Sequence, residues 1–237
     1  MLFANAKNLS ICPINKQYGI IELSITMAKI TDITTQKKNS SRVNIFLDGE
    51  FACGMEAIIA LENRLKIGTE ISLEELQELS RLSDIESAFN KAIKLLSRML
   101  KTQYEIKNYL TNKGYSADVV DTAIDKLKSY NYINDQEYAI AYINDKKRTN
   151  GKKKLWIELK QRGINDNILD QALNTITQEE QTQAIKNLAQ KYTKGKTLDI
   201  KLKKNLAHYL YSRGFEWDDY IDIINDLFGE QNDWQGF

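Results

Sequence analysis

"LTNKGY" runs from Leu110 to Tyr115, "LKQRGI" from Leu159 to Ile164 and "LYSRGF" from Leu210 to Phe215. Each writes a leucine, two residues, a base, a glycine and a large apolar residue. Aligned on Gly114, Gly163 and Gly214, the copies stand 49 and 51 residues apart (163 − 114 and 214 − 163), a period typical of helical repeats. Eight residues before each glycine comes Ile106, Leu155 or Leu206, and four before comes Leu110, Leu159 or Leu210. That spacing predicts one buried helical stripe.

The base before each glycine is Lys113, Arg162 or Arg213, and Tyr115, Ile164 or Phe215 follows it. A glycine just past a helix adopts the left-handed conformation that satisfies the last carbonyls. The base suits the negative helix end, and the apolar residue packs back on it. Gly114, Gly163 and Gly214 are therefore read as structural turns. The next helix repeats too: Val119, Val120, Ala123, Ile124 and Leu127 align with Ile168, Leu169, Ala172, Leu173 and Ile176, then with Asp219, Tyr220, Ile223, Ile224 and Leu227.

Working outward, Ser83/Glu86, Asn134/Glu137 and Thr177/Glu180 each place a capping oxygen three residues before a glutamate, ahead of an apolar-periodic run. They predict the starts of three three-helix repeats over 83–133, 134–176 and 177–237. No proline follows Pro13 to interrupt them. The fold class is mainly α, the repeats expected to form an elongated curved array because each mainly contacts its neighbours. In front, Val43, Ile45 and Leu47 alternate with polar residues before the Asp48-Gly49 turn, Phe51 and Cys53. Residues 28–82 are predicted to hold a β-hairpin, with "TTQKKNSS" as an upstream loop, and a short helix from the Ser72/Glu75 box to near Leu82. Residues 1–27 are expected to be an extension, poorly ordered or a product of start-codon choice.

Hydrophobic residues make up 42% of the 237, enough for a real core, and a formal net charge of +1 predicts no strong global attraction to nucleic acid or membrane. Cys12 and Cys53 form neither a metal pattern nor a disulfide framework, which suits a reducing cytoplasm. No run is long and apolar enough for a membrane helix. The single histidine, His208, falls near Lys201, Lys204 and Tyr211, opposite the leucine stripe, so a solvent-facing position is expected. No phosphate-loop, dinucleotide or nucleophile-elbow motif occurs, and neither metal, cofactor nor catalytic residue is predicted.

Charge placement is more informative. From Asp145 to Gly163 stand Lys146, Lys147, Arg148, Lys152, Lys153, Lys154, Lys160 and Arg162 against Asp145 and Glu158. A second cluster includes Lys201 and Lys204. From Gly214 to Phe237 there are seven acids and no base, a face suited to capping the array or to competing with nucleic acid. The basic runs are either solvated helix faces or a contact surface for phosphates or acidic protein. Lys153, Trp156 and Lys160 share one helical edge, so Trp156 is either core or an aromatic flanking two bases.

"YAIAYINDKKRTNGKKKLWIELKQRGI", residues 138–164, resembles the signature of the RecX family of bacterial recombinase regulators, through Gly151, Leu155, Glu158, Leu159, Arg162, Gly163 and Ile164. The first repeat is similar through Glu105, Leu110, Lys113, Gly114 and "YINDQEYA", and "NIFLDGEF" resembles the family's N-terminal β element. In "RMLKTQYE" this chain departs from the family's usually more basic turn. The resemblance covers about residues 28 to 228.

It implies a noncatalytic, monomeric protein that binds the RecA filament on single-stranded DNA and lowers its ATPase, strand-exchange and coprotease activities, in homologous recombination, DNA repair and the SOS response. Candidate contacts are Lys146, Lys147, Arg148, Lys152, Lys153, Lys154, Trp156 and Lys160, with Lys201 and Lys204 behind them. Arg162 is set apart because helix capping already accounts for it. Alternatives are a stand-alone nucleic-acid-binding helical-repeat protein and a repeat scaffold for another protein.

Overall fold

The structure, a computed structural model, describes residues 27–37 and 39–229. The extension expected over 1–27 thus lies outside the described residues except for Met27. The chain divides into a unit ending at Leu79 and a second beginning at Ser80.

In the first unit, β1 (Met27–Gln36), β2 (Asn39–Leu47) and β3 (Glu50–Glu56) are followed by α1 (Ala57–Glu62) and β4 (Glu70–Ser72). The sheet is antiparallel throughout, in the order β3-β2-β1-β4. Asp48 and Gly49 both take positive φ, 48° and 89°, the conformation that closes a two-residue hairpin loop with the natural strand twist. Ile45 and Leu47 point inward with Ile30, Met55 and Ile71, and Leu76 and Leu79 complete this core.

Two expectations about this region need correction. Thr34, Thr35 and Gln36 of "TTQKKNSS" are strand rather than loop, because they pair with Asn44, Val43 and Asn39 as the end of the β1–β2 hairpin. These polar strand ends bury no apolar face, so alternation does not reveal them, while backbone pairing and β-branched threonines still favour strand. β4 joins β1 through Ala28 and Ile71, a short long-range pairing with no local signature.

α2 (Leu73–Leu96) is one helix of 24 residues rather than a short helix followed by a new start at Ser83. Ser72 Oγ accepts from the Glu75 amide at 3.1 Å, as expected of a cap. Ser83, however, is fully buried inside the helix. Neither glycine nor proline interrupts 73–96, so nothing stops the helix before that second capping pattern.

The second unit contains the rest of α2, then α3 (Gln103–Asn112), α4 (Ala117–Ser129), α5 (Asp135–Lys146), α6 (Lys152–Gln161), α7 (Asp166–Leu173), α8 (Gln178–Thr193), α9 (Ile200–Ser212) and α10 (Trp217–Phe228). They form three three-helix repeats, each with its own core. The leucine stripe is at the centre of all three: Ile106, Leu110, Leu155, Leu159, Leu206 and Leu210 are each 0% exposed. Asn134 Oδ1 caps α5 by accepting from the Gln136 and Glu137 amides, and Thr177 with Glu180 closes a reciprocal capping box on α8. Asp219, the polar departure in the third copy, accepts from the Glu216 amide at 3.0 Å and so caps α10.

All three glycines are left-handed, with φ of 90°, 80° and 81° at Gly114, Gly163 and Gly214. In each turn the amide after the glycine donates to the leucine carbonyl four residues before it, at 3.4, 3.2 and 3.3 Å. The glycine amide donates to the carbonyl three before, at 2.9, 2.9 and 2.8 Å. This is the double-bonded helix stop expected of such a turn.

Two of the glycines have a second role. A Cβ on Gly163 would stand 2.3 Å from Tyr104 Cβ, and one on Gly214 would stand 2.4 Å from the Lys154 main-chain nitrogen; nothing lies within 4 Å of one on Gly114. The Thr102 hydroxyl donates to the Arg162 carbonyl at 2.7 Å, and the Gly151 amide to the Arg213 carbonyl at 2.8 Å. In the first two repeats, therefore, the N-terminus of the second helix docks on the glycine turn of the following repeat.

Alanine replacements should separate these roles in thermal melts. Gly114→Ala incurs only the left-handed strain, ~1–2 kcal/mol. Gly163→Ala and Gly214→Ala should each cost more, because Tyr104 Cβ and the Lys154 main-chain nitrogen are both fixed by the backbone and cannot swing aside. Equal melting temperatures for the three variants would refute the docking role.

Candidate interaction surface

The basic run between Asp145 and Gly163 occupies the end of α5, a short link and α6. Lys146, in the last turn of α5, pairs with Asp145 at 2.9 Å, and that hydrogen bond raises its pKa. Lys147 caps α5 and reaches Glu180 at 2.6 Å; this bond holds the Glu180 carboxyl below its ordinary range. Lys160 pairs with Asp166 at 2.5 Å, and its ammonium lies 5.8 Å from the centre of the Trp156 ring. Lys153 stands 3.9 Å from Glu216 and 5.7 Å from the Tyr211 ring, both on the third repeat. Among the described residues Arg148, Lys152 and Lys154 form no ion pair.

α6 breaks a local rule. The first turn of a helix favours acids, because its free amides and macrodipole are positive, yet α6 opens on Lys152, Lys153 and Lys154 with no acid and no side-chain cap. Each such base costs ~0.3–1 kcal/mol, and a bound anion would reverse the sign of that interaction. Trp156, one turn further, is 37% exposed, which makes it a surface residue rather than core.

Lys152, Lys153 and Trp156 also line one wall of an open cleft of about 400 Å3, opposite Gly214, Glu216 and Asp219. Its remaining lining is Leu173, Gln178 and Gln181. Lys201 and Lys204 are exposed on α9, and Lys201 lines a different cleft with Leu198, Asp199, Ile200, Lys203 and Phe228. The structure thus brings the α6 residues together and leaves the α9 lysines apart from their cleft. His208 is exposed, as expected.

Arg162 belongs to the joint between the first two repeats. It binds Glu105 at 2.9 Å and lies 5.2 Å from the Tyr142 ring. Burial opposes its charge, but Tyr138, Glu105 and Tyr142 outweigh burial and raise its pKa. Burial likewise raises the Tyr138 and Tyr142 phenols. Glu105 also bonds Lys101 and closes the capping box with Thr102 on α3. The Thr102-x-x-Glu105 pattern was the available sequence signal for this joint; its partner Arg162, 57 residues on, had none.

Known proteins resemble this chain along most of its length. A "Regulatory protein RecX" of Bacillus subtilis (strain 168) is 36% identical over 210 residues, covering 84% of this chain and 80% of that protein. One from Clostridium botulinum (strain Eklund 17B / Type B) is 33% identical over 204 residues, covering 84% and 96%. The chain belongs to the RecX family. Models for the RecX N-terminal domain and for its first and second three-helix domains match residues 28–72, 88–127 and 134–173. A crystal structure of regulatory protein RecX superposes with a TM-score of 0.65 at 26% identity, covering 84% of this chain and 99% of the other. RecX from Lactobacillus salivarius gives 0.56 at 30%, covering 61% and 96%. The RecX N-terminal match thus falls on the sheet, and the two three-helix matches fall on the first two repeats.

In this RecX-family chain Glu105→Ala removes a cap and an ion pair together. It should lower stability by about 1–2 kcal/mol, read from the denaturant midpoint. Glu105→Gln, which can still accept the cap bond, should lose roughly half as much.

Proposed function

We propose that this chain binds the RecA recombinase filament on single-stranded DNA and restrains its ATPase, strand-exchange and coprotease activities, acting by binding rather than by catalysis. Membership of a family of regulatory proteins supports this reading. The observation that carries it is the opening of α6 on three lysines where a helix favours acids. Stability is given up there, and an anionic partner would recover it. The contacts assigned are Lys146, Lys147, Arg148, Lys152, Lys153, Lys154, Trp156 and Lys160, with the α9 lysines Lys201 and Lys204 as a secondary group. Lys146, Lys147, Lys153 and Lys160 already hold acids, so their neighbours fix their positions and weaken their pull on a partner. Arg148, Lys152 and Lys154 are accordingly the strongest candidates.

DNA-stimulated ATP hydrolysis by the cognate RecA should fall when the protein is added. The triple variant Lys152→Glu, Lys153→Glu, Lys154→Glu should lose most of this effect while melting within a few degrees of the parent. Its binding to filaments should also show a smaller salt slope, by about one for each phosphate no longer engaged. No change in hydrolysis by the parent protein at any ratio would overturn the reading. Tight, salt-dependent DNA binding without any effect on RecA would favour the stand-alone nucleic-acid binder instead.

A further inference from the structure

The cleft between the second and third repeats combines two features that the basic surface alone does not need. Trp156, a residue 37% exposed, lines it beside Lys152 and Lys153. Gln181, in the first turns of α8, lines the cleft and is only 5% exposed, and its side-chain oxygen has no hydrogen-bond partner. A buried amide oxygen left unpaired is costly, so such a group in a functional surface points to a missing donor. The last torsion of a glutamine is soft, so either end of the carboxamide can turn to meet a ligand in the cleft.

The acids opposite do not oppose an anion as fully as their number suggests. Asp219 accepts from the Glu216 amide at 3.0 Å, and Lys153 stands 3.9 Å from Glu216. Lys152 has no such partner among the described residues. At about 400 Å3 the cleft lies within the ~300–1,000 Å3 of small-ligand sites. Leu173 supplies an apolar part of its lining.

We propose that this cleft takes one base of a single nucleic-acid strand, stacked on Trp156, with its polar edge on Gln181 and the adjoining phosphate on Lys152. A planar ring, an edge that both donates and accepts, and an attached negative charge together describe a nucleotide. An unstacked base supplies all three only when the strand is single. A carboxamide both donates and accepts, so it serves any of the bases, and the site selects for the presence of a base rather than for its identity. The inference rests on the reading that the α6 surface meets the nucleic acid of the filament.

The test compares two labelled strands of equal length and charge, oligothymidine and the same backbone with every base removed, by fluorescence anisotropy with the full chain. Wild type should bind the base-bearing strand about tenfold more tightly. Trp156→Ala and Gln181→Leu, each checked by its melt, should bring that ratio near one. Trp156→Phe, which keeps a ring, should restore part of it, and Lys152→Glu should weaken both strands by the same factor.

Equal wild-type affinity for the two strands would overturn the base site and leave the basic surface standing. A preference that survives in both Trp156→Ala and Gln181→Leu would overturn it as well, by locating the bases elsewhere. So would loss of the effect on RecA in Trp156→Ala with the strand preference intact, which would assign the cleft to a protein side chain. Binding to neither strand, alone or with RecA, would overturn both this inference and the DNA-contact reading beneath it.

Discussion

The helical unit depends on the close approach of one repeat's helix start to the next repeat's helix stop. At the second joint this is a main-chain contact, with the Gly151 amide on the Arg213 carbonyl and Lys154 against Gly214. At the first joint Thr102 supplies a hydroxyl where Gly151 supplies an amide, and Tyr104 covers Gly163. Thr102 and Gly151 each stand 12 residues before the glycine of their own repeat, so the two joints use equivalent positions (114 − 102 and 163 − 151). A side chain at Gly163 or Gly214 would hold the repeats apart. In the second and third repeats the residue that ends a helix is thus also the surface on which the preceding repeat rests.

The third repeat does not reproduce that donor end. α9 is capped by Asp199, 15 residues before Gly214 (214 − 199), so it begins about one turn earlier than α3 and α6 do relative to their glycines. Leu202, 12 residues before Gly214 and so equivalent to Thr102 and Gly151, lies inside α9 rather than at its start.

Electrostatics divides the same residues into two groups. Arg162, Glu105, Lys147 and Glu180 hold elements together, and their partners account for much of the charge that a linear reading assigns to a binding face. Lys152 and Lys154 stand in an unfavourable position at the head of α6 with no compensating acid. A near-zero net charge is therefore compatible with a local anion-attracting surface. Under the proposed function, the bases that matter most are those whose placement costs stability rather than those that are most numerous.

The sequence by itself determined the three-fold period, the leucine stripes, the glycine turns and the Asn134 and Thr177 caps, because each rests on helical spacing or on a backbone angle that only nearby residues control. It also located the Asp48-Gly49 hairpin and the basic run. Only the tertiary structure decided that α2 continues through Ser83, that β4 closes the sheet on β1, and that Arg162 meets Glu105. It likewise brought Gln181 to Trp156 and Lys152. These outcomes depend on pairings between distant residues, where hydrogen bonding, burial and charge act across the fold and leave no periodic trace in the chain. Helix stops are local demands on φ, whereas joints and clefts exist only once separate helices have been brought within a few ångströms of each other.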